Sequence, residues 1–284
     1  MRTAAAVLTL SVAGLLTWML VRRDDTFPPP VDVGPSRSTS AVASGPPVPV
    51  PFVAAAQLAK LPAATTDATI TAAPRDLHRD EATTGAVAHN RHSVPVFDTP
   101  GGTAFARLPP EQLGNDTWLP VIGQQSGWVQ VLLPSRPNGS VGWLDTGQLT
   151  LARSRHEIRV DLGAARLQLS RDGQQVGSWP VSVGTARTPT PAGRTFLLAA
   201  IRDPRQSFSP LILTLGTHSA ALETYAGGPG TVGIHTWPAG QRSTRPASHG
   251  CIRVPGDALT TLAAVPLGSL VRIDTPDFAE GPLK

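Results

Sequence analysis

The chain has 284 residues with 24 Lys+Arg, 20 Asp+Glu and a formal net charge of +4, enough length for one large or two modest domains. The positive excess is arginine-rich and spread along the chain, with no dense basic stripe and no interleaved aromatics, which argues against nucleic-acid binding. One cysteine forms no internal disulfide, so a disulfide-stapled scaffold is excluded and the thiol is either reactive or a small core residue.

From Ala4 to Val21 the residues are apolar or small, with Arg2 before them and Arg22-Arg23 after, a run just long enough to span a bilayer as a helix. Residues 1–25 are expected to be a signal peptide or a membrane anchor. An uncleaved anchor is favoured, because Leu20-Val21-Arg22-Arg23 closes the run without a small-x-small motif. Between residues 26 and 92 the composition turns to Pro, Ala, Thr, Ser and Val, with Pro28-Pro29-Pro30, Pro46-Pro47, Pro49 and Pro51. Few large apolar residues are available to bury there, and the expectation is an extended, disordered linker.

Short apolar runs with turn residues between them begin at Val94: Val94-Pro95-Val96-Phe97, Trp118 to Ile122, Gly127-Trp128-Val129-Gln130-Val131 and Gly142-Trp143-Leu144. They predict a small β-barrel over residues 93–152. Two Gly-Trp pairs that each open a strand, and the Gln148-Leu149 stretch, make the segment resemble a bacterial SH3-like domain. That resemblance implies possible binding to wall peptides; a packing or spacer role around Trp128 and Trp143 is equally compatible with the residues.

Residues 156–275 are also strand-rich. Ile158, Val160 and Leu162 alternate, as do Leu167 and Leu169, and Asp172-Gly173 between such runs signals a two-residue hairpin. Further strands are expected at Val176 to Val183, Thr195 to Ile201, Leu211 to Leu215, Thr231 to His235 and Leu270 to Ile273. Pro255 to Ala264 reads as a short helix with Leu259, Leu262 and Ala263 on one face. The predicted fold class is mainly β, a small SH3-like barrel followed by a β-sandwich with a short helix.

The lone cysteine lies in Ser248-His249-Gly250-Cys251-Ile252-Arg253, a short loop after Gly233-Ile234-His235. A free thiol is mostly protonated at neutral pH, so a nucleophilic Cys251 needs a base, and His235 and His249 are the candidates. His235 ends a strand and precedes a Pro/Gly-containing loop, Thr236 to Ala247, that returns to Ser248. His249 shares a face with Cys251 only if that segment is extended. Gly250 permits unusual backbone angles and leaves room for substrate, and backbone amides there can form an oxyanion hole.

These residues resemble the L,D-transpeptidase (YkuD) catalytic domain, whose signature is a His, a loop, then Ser/Thr-His-Gly-Cys, an apolar residue and Asn or Arg. The likeness extends to Ile158 to Leu162, Asp172-Gly173, Val181 to Gly184, the Pro-Thr-Pro-Ala-Gly turn Pro189 to Gly193, and Gly227-Gly228-Pro229-Gly230, about 120 residues in all. It implies a β-sandwich and a thioester acyl-enzyme on Cys251, formed from peptidoglycan tetrapeptide stems and resolved as a 3→3 cross-link. His235 would be the base, with Thr236 holding its imidazole through its carbonyl. His249 and Ser248 would shape the pocket, the Gly250 and Cys251 amides would hold the oxyanion, and Arg253 would pair with a substrate carboxylate. The plainer structural roles are a turn cap for Ser248 and a bridge to a structural acid for Arg253. Thr236, followed by Trp237, stands where many members carry Gly, which leaves the preferred acceptor open.

No cofactor is implied. A zinc site from His218, His235, His249 and Cys251 is the rival metal reading, disfavoured because the ligands lack helical or knuckle spacing. The residues are also compatible with an inactive wall-binding protein and with an L,D-carboxypeptidase. The expected partners are peptidoglycan stems, the wall through the SH3-like module, and the membrane through the N-terminal segment. The expected location is the bacterial cell envelope, outside the cytoplasm.

Overall fold

A computed structural model describes residues 48–202, 209–224, 228–237 and 248–275. The expected signal or anchor, the first part of the linker and most of the loop after Trp237 lie outside these residues. No helix among the described residues is long and apolar enough to cross a membrane.

After a single helical turn α1 (Ala55–Leu58), nine strands build the first half: β1 (Ala86–His89), β2 (Val94–Phe97), β3 (Ala104–Leu108), β4 (Glu111–Gln112), β5 (Asn115–Asp116), β6 (Trp118–Gln125), β7 (Trp128–Leu132), β8 (Val141–Asp145) and β9 (Thr150–Arg153). Seven of them form one sheet in the order β3-β2-β8-β7-β6-β1-β9, antiparallel throughout. The barrel expected over residues 93–152 therefore corresponds to a seven-stranded sheet that starts earlier, at Ala86, and ends at Arg153. Trp128 is fully buried edge-on to Phe97, with ring centroids 5.2 Å apart, whereas Trp143 is only half-buried.

The second half contains β10 (His156–Asp161), β11 (Arg166–Arg171), β12 (Gln174–Pro180), β13 (Gly193–Ile201), β14 (Ile212–His218), β15 (Thr231–His235), β16 (Ile252–Arg253), α2 (Gly256–Leu262) and β17 (Leu270–Asp274). Asp172 and Gly173 have φ of 52° and 77°, the left-handed pair that a two-residue hairpin between β11 and β12 requires. The expected sandwich is one curled sheet, in the order β12-β11-β10-β17-β13-β14-β15-β16, with parallel pairs only at β10/β17 and β15/β16. β13 makes the curl: its first residues pair with β17, its last with β14, and the register shifts between Leu197 and Ala199. Ile158, Val160 and Leu167 from one limb then meet Leu213, Val232, Ile234 and Ile252 from the other. α2 closes this core with Ala258, Leu259 and Leu262, and Pro255 caps it rather than opening its first turn.

The two halves share buried surface. β13 is buried on both faces, Leu197 in the core of the curled sheet and Phe196, Leu198 and Ala199 in the core of the first sheet, which explains why its sequence is a continuous apolar run rather than an alternation.

The disordered-linker expectation is corrected for residues 48–92. Arg107 N–H donates to the Pro62 carbonyl at 2.9 Å and Val141 N–H to the Pro74 carbonyl at 2.9 Å, while Ile70 N–H and Arg136 N–H bond the Arg136 and Ala68 carbonyls at 2.8 Å each. Proline lacks a donor but keeps its carbonyl, so a Pro-rich strap can lie along exposed strand and loop backbone and use that carbonyl as acceptor. Small side chains let it lie close: Ala64, Ile70 and Ala73 are buried, and Trp128 Nε1 donates to the Val48 carbonyl at 3.0 Å. Asp76 on the strap meets Arg194 on β13 through two hydrogen bonds of 2.6 and 2.7 Å, with the side chains 2% and 3% exposed.

Candidate active site

β15 and β16 run parallel, with Ile234 opposite Ile252 and His235 opposite Arg253. Both isoleucines are fully buried in the core. Strand alternation then turns Gly233 and His235, and Cys251 and Arg253, toward the other side of the sheet. The shared face brings the lone thiol and the strand-end histidine together across 16 residues of sequence that includes the loop after Trp237.

His235 is 6% exposed, and its Nδ1 donates to the Thr236 carbonyl at 2.6 Å. That bond fixes the tautomer and leaves Nε2 as a proton acceptor. The Thr236 backbone is itself held, because its N–H and hydroxyl reach Ser209 Oγ at 3.0 and 3.1 Å while Ser209 donates to the Leu211 carbonyl at 2.6 Å. Val254 N–H donates to the His235 carbonyl at 2.9 Å and clamps the two strand ends.

Burial lowers the His235 pKa, opposed by the Thr236 hydrogen bond and aided by the Arg253 charge. Burial raises the Cys251 pKa, opposed by a backbone hydrogen bond from Gly233 and by Arg253. Both shifts favour the neutral thiol and the neutral imidazole at pH 7. For the resting full-length chain, alkylation of Cys251 by iodoacetamide should rise with pH to a midpoint above that of an ordinary cysteine thiol, because burial raises its pKa. A plateau through neutral pH would instead reveal a standing thiolate–imidazolium pair.

The expected site residues divide into three groups. Cys251, His235 and Arg253 share one face, and Thr236 meets His235 through its backbone carbonyl. Ser248 is buried at 2%, and its hydroxyl donates to the Cys251 carbonyl at 2.5 Å and accepts from Gly250 N–H at 3.1 Å. It holds the loop from inside, in the manner of the plainer turn-capping role. The same bond occupies the Gly250 amide, correcting its expected role as an oxyanion donor. His249 is exposed, and Gly250, with φ of +117°, turns the chain between His249 and Cys251, so the two are not neighbours on an extended strand. A side chain at position 250 would be strained at that φ.

Sequence reasoning missed Thr190 and Ser182. Thr190 is 4% exposed; its hydroxyl accepts from Gly184 N–H at 2.9 Å and donates to the Gly250 carbonyl at 2.8 Å, so it ties the loop that carries Cys251 to the preceding turn. Ser182 exchanges backbone bonds of 3.0 and 2.8 Å with Arg253. The Pro-Thr-Pro-Ala-Gly turn was the available signal for Thr190, while Ser182 contributes only backbone and has none.

Arg253 lies against the Trp237 ring, its guanidinium carbon 3.8 Å from the ring centroid, in cation–π contact. His218, the remaining member of the zinc rival, is on β14, where Nε2 donates to the Thr66 carbonyl at 2.7 Å and burial pushes its pKa down to about 4. Among the described residues no three His, Cys, Asp or Glu side chains converge as a metal site.

Residues 155–273 match the family model of YkuD, the L,D-transpeptidase catalytic domain. The YkuD protein of Bacillus subtilis (strain 168) is 28% identical over 120 residues, 42% of this chain and 66% of that protein, just under two thirds of its length. Among solved structures, an L,D-transpeptidase from Mycobacterium smegmatis aligns over 55% of this chain and 93% of its own at 17% identity and a TM-score of 0.36. L,D-transpeptidase 3 from Mycobacterium tuberculosis aligns over 58% and 76% at 18% identity and the same TM-score, 0.36. Likenesses at that level carry no functional argument.

Proposed function

We propose that this protein is a peptidoglycan L,D-transpeptidase that forms 3→3 cross-links through a Cys251 thioester. The observation that carries the reading is the placement of Cys251 and His235 on one face of the β15/β16 pair, with His235 Nδ1 bonded to the Thr236 carbonyl and Nε2 left as the base. The family match of residues 155–273 supplies the substrate class.

In the proposed reaction, Cys251 Sγ attacks the carbonyl of the bond that joins the L-centre of the stem's diamino acid to the terminal D-alanine, and His235 Nε2 takes the thiol proton. The oxyanion is assigned to the Cys251 amide. Collapse breaks the C–N bond, the imidazolium protonates the departing amine of D-alanine, and the thioester remains. The side-chain amine of a diamino acid in a second stem then attacks the thioester and yields its proton to His235. The C–S bond breaks, the imidazolium returns a proton to sulfur, and a 3→3 amide is left. This chemistry belongs outside the cytoplasm, where the stems are assembled into wall; membrane attachment through residues 1–25 and wall binding by residues 93–152 are further parts of the same proposal.

Mass spectrometry of products after incubation of the full-length chain with disaccharide tetrapeptide tests the reading. A 3→3 dimer is expected. Tripeptide alone would replace the transpeptidase with an L,D-carboxypeptidase, and the absence of both from folded protein would leave only wall binding.

A further inference from the structure

The connection between β7 and β8 carries Arg136-Pro137-Asn138-Gly139, a turn sequence in which Gly139 takes a φ of 76°. Two of its side chains reach across to the curled sheet. The Asn138 amide pairs with the backbone at the end of β14 as a neighbouring strand would: Oδ1 accepts from His218 N–H at 2.9 Å and Nδ2 donates to the His218 carbonyl at 2.7 Å. Arg136 Nη2 donates to the Leu222 and Glu223 carbonyls, at 3.3 Å each, in the connection from β14 to β15. Gly230 makes room for that contact, since a Cβ there would stand 2.3 Å from the Leu222 carbonyl oxygen and 3.2 Å from Arg136 Nη2. The strap adds a third hold: His218 Nε2 donates to the Thr66 carbonyl at 2.7 Å, and the hydroxyls of Thr66 and Thr231 are 2.8 Å apart.

The turn held in this way supports both halves of the candidate dyad. Ser219 is 6% exposed, and its N–H donates to the Gly230 carbonyl at 2.9 Å. A side-chain carbon at position 250 would lie 3.9 Å from Ser219 Cβ and Oγ and 3.6 Å from the Pro189 carbonyl oxygen, so Gly250 sits between Ser219 and the turn that begins at Pro189. Thr231, opposite His218, opens the strand that ends at His235. One turn therefore backs the loop of Cys251 and roots the strand of His235. Its anchors Thr66, Arg136 and Asn138 all lie outside residues 155–273, the stretch that matches the family model.

We propose that Arg136 and Asn138 are positioning residues of the active site: from the first half of the chain they hold the β14–β15 turn, and through Ser219 and Thr231 they keep the Cys251 loop in place against the strand of His235. The proposal rests on the reading of Cys251 as nucleophile and His235 as base, and it gives the first half a part in that reaction. An amide that pairs with both the N–H and the carbonyl of one residue fixes that residue in rotation as well as in distance, where a single bond would leave a hinge. The guanidinium spans two successive carbonyls farther along the same turn, so the turn is held at two points. A shift of about 1 Å between reacting groups costs on the order of a hundredfold in rate, and the loss of one of two holds is expected to cost about tenfold.

The test uses the full-length chain, well below the melting transition of each variant, with two readouts. In Asn138→Ala and in Arg136→Ala, kcat for D-alanine release from disaccharide tetrapeptide should fall about tenfold while KM stays within about twofold, the split expected when the reacting groups and not the binding contacts are disturbed. In the same variants the pH midpoint for alkylation of Cys251 by iodoacetamide should move down toward that of an ordinary thiol, because a loosened Ser219 wall relieves the burial that raises it. Arg136→Lys should restore most of both, since an ammonium can still donate to the two carbonyls. Asn90→Ala is the control for stability alone: Asn90 is fully buried in the first half and donates to the His92 and Leu108 carbonyls at 2.8 and 3.0 Å, so its loss should lower the melting temperature and leave both readouts where they were. Unchanged readouts in both alanine variants, or equal changes in Asn90→Ala, would overturn the proposal. Alkylation needs no turnover, which separates this from the reading beneath it. A shifted midpoint in the variants of a chain that releases no D-alanine would keep the hold on Cys251 and remove the reaction. Turnover by the parent that both alanine variants match would keep the reaction and remove the hold.

Discussion

Cys251→Ala should lower product formation from disaccharide tetrapeptide by at least about a thousandfold, because it deletes the atom that forms the covalent intermediate. The fold should tolerate the change: Cys251 is partly exposed, and the loop around it is held by Ser248, Thr190 and Val254 through bonds that involve no sulfur. A melting temperature within about 2 °C of the parent would show this, since most substitutions at such sites cost little. A strained β-lactam of the carbapenem class offers the same electrophilic carbonyl, so wild-type protein should gain one adduct mass and Cys251→Ala none. Activity retained by Cys251→Ala, or an equal adduct on it, would remove the thiol from the mechanism.

Asp76→Ala should destabilise the protein by about 3–5 kcal/mol, the cost of stranding a buried charge. Arg194 is the charge stranded, with its side chain 3% exposed and its two shortest bonds, of 2.6 and 2.7 Å, made to Asp76. For a domain of this size that cost corresponds to a fall in melting temperature of roughly 10 °C. The double variant Asp76→Leu/Arg194→Met should recover much of the loss, because apolar side chains of similar volume need no compensation. An unchanged melting temperature for Asp76→Ala would show that the strap is not part of the folded unit. A fragment that begins at residue 90 removes Asp76 and the whole strap, and is expected to be destabilised for the same reason.

Composition hid this strap. Its prolines and small residues lack the mass of a core element, and its order comes from carbonyls such as those of Pro62 and Pro74 that accept from distant strands. Side-chain patterns do not encode such backbone pairing. The reverse holds for β10 and β11, where Ile158, Val160, Leu167 and Leu169 alternate because only one face is buried, and for the Asp172-Gly173 turn, where backbone angles demand those residues. β13 was legible as a strand, yet its continuous apolar run does not say that one of its faces serves a second core.

At the site, residue type and spacing single out His235 and Cys251, and the parallel pairing of β15 with β16 sets them on one face. The residues leave Ser248 either a pocket role or a turn cap, and its hydroxyl's bond to the Gly250 amide is a property of the loop's conformation that spacing does not encode. For His249 the residues leave two outcomes open, and the φ of +117° at Gly250 decides between them, because it breaks the alternation that an extended segment would have.

The central claim is a thioester on Cys251, and intact-mass spectrometry of the full-length chain, quenched in acid after mixing with a tetrapeptide stem and no acceptor, tests it most directly. The account predicts a mass increase equal to the stem less its terminal D-alanine, mapped by proteolysis to the peptide that contains Cys251 and absent from Cys251→Ala. Release of D-alanine at full rate with Cys251 unmodified at every time point would contradict it.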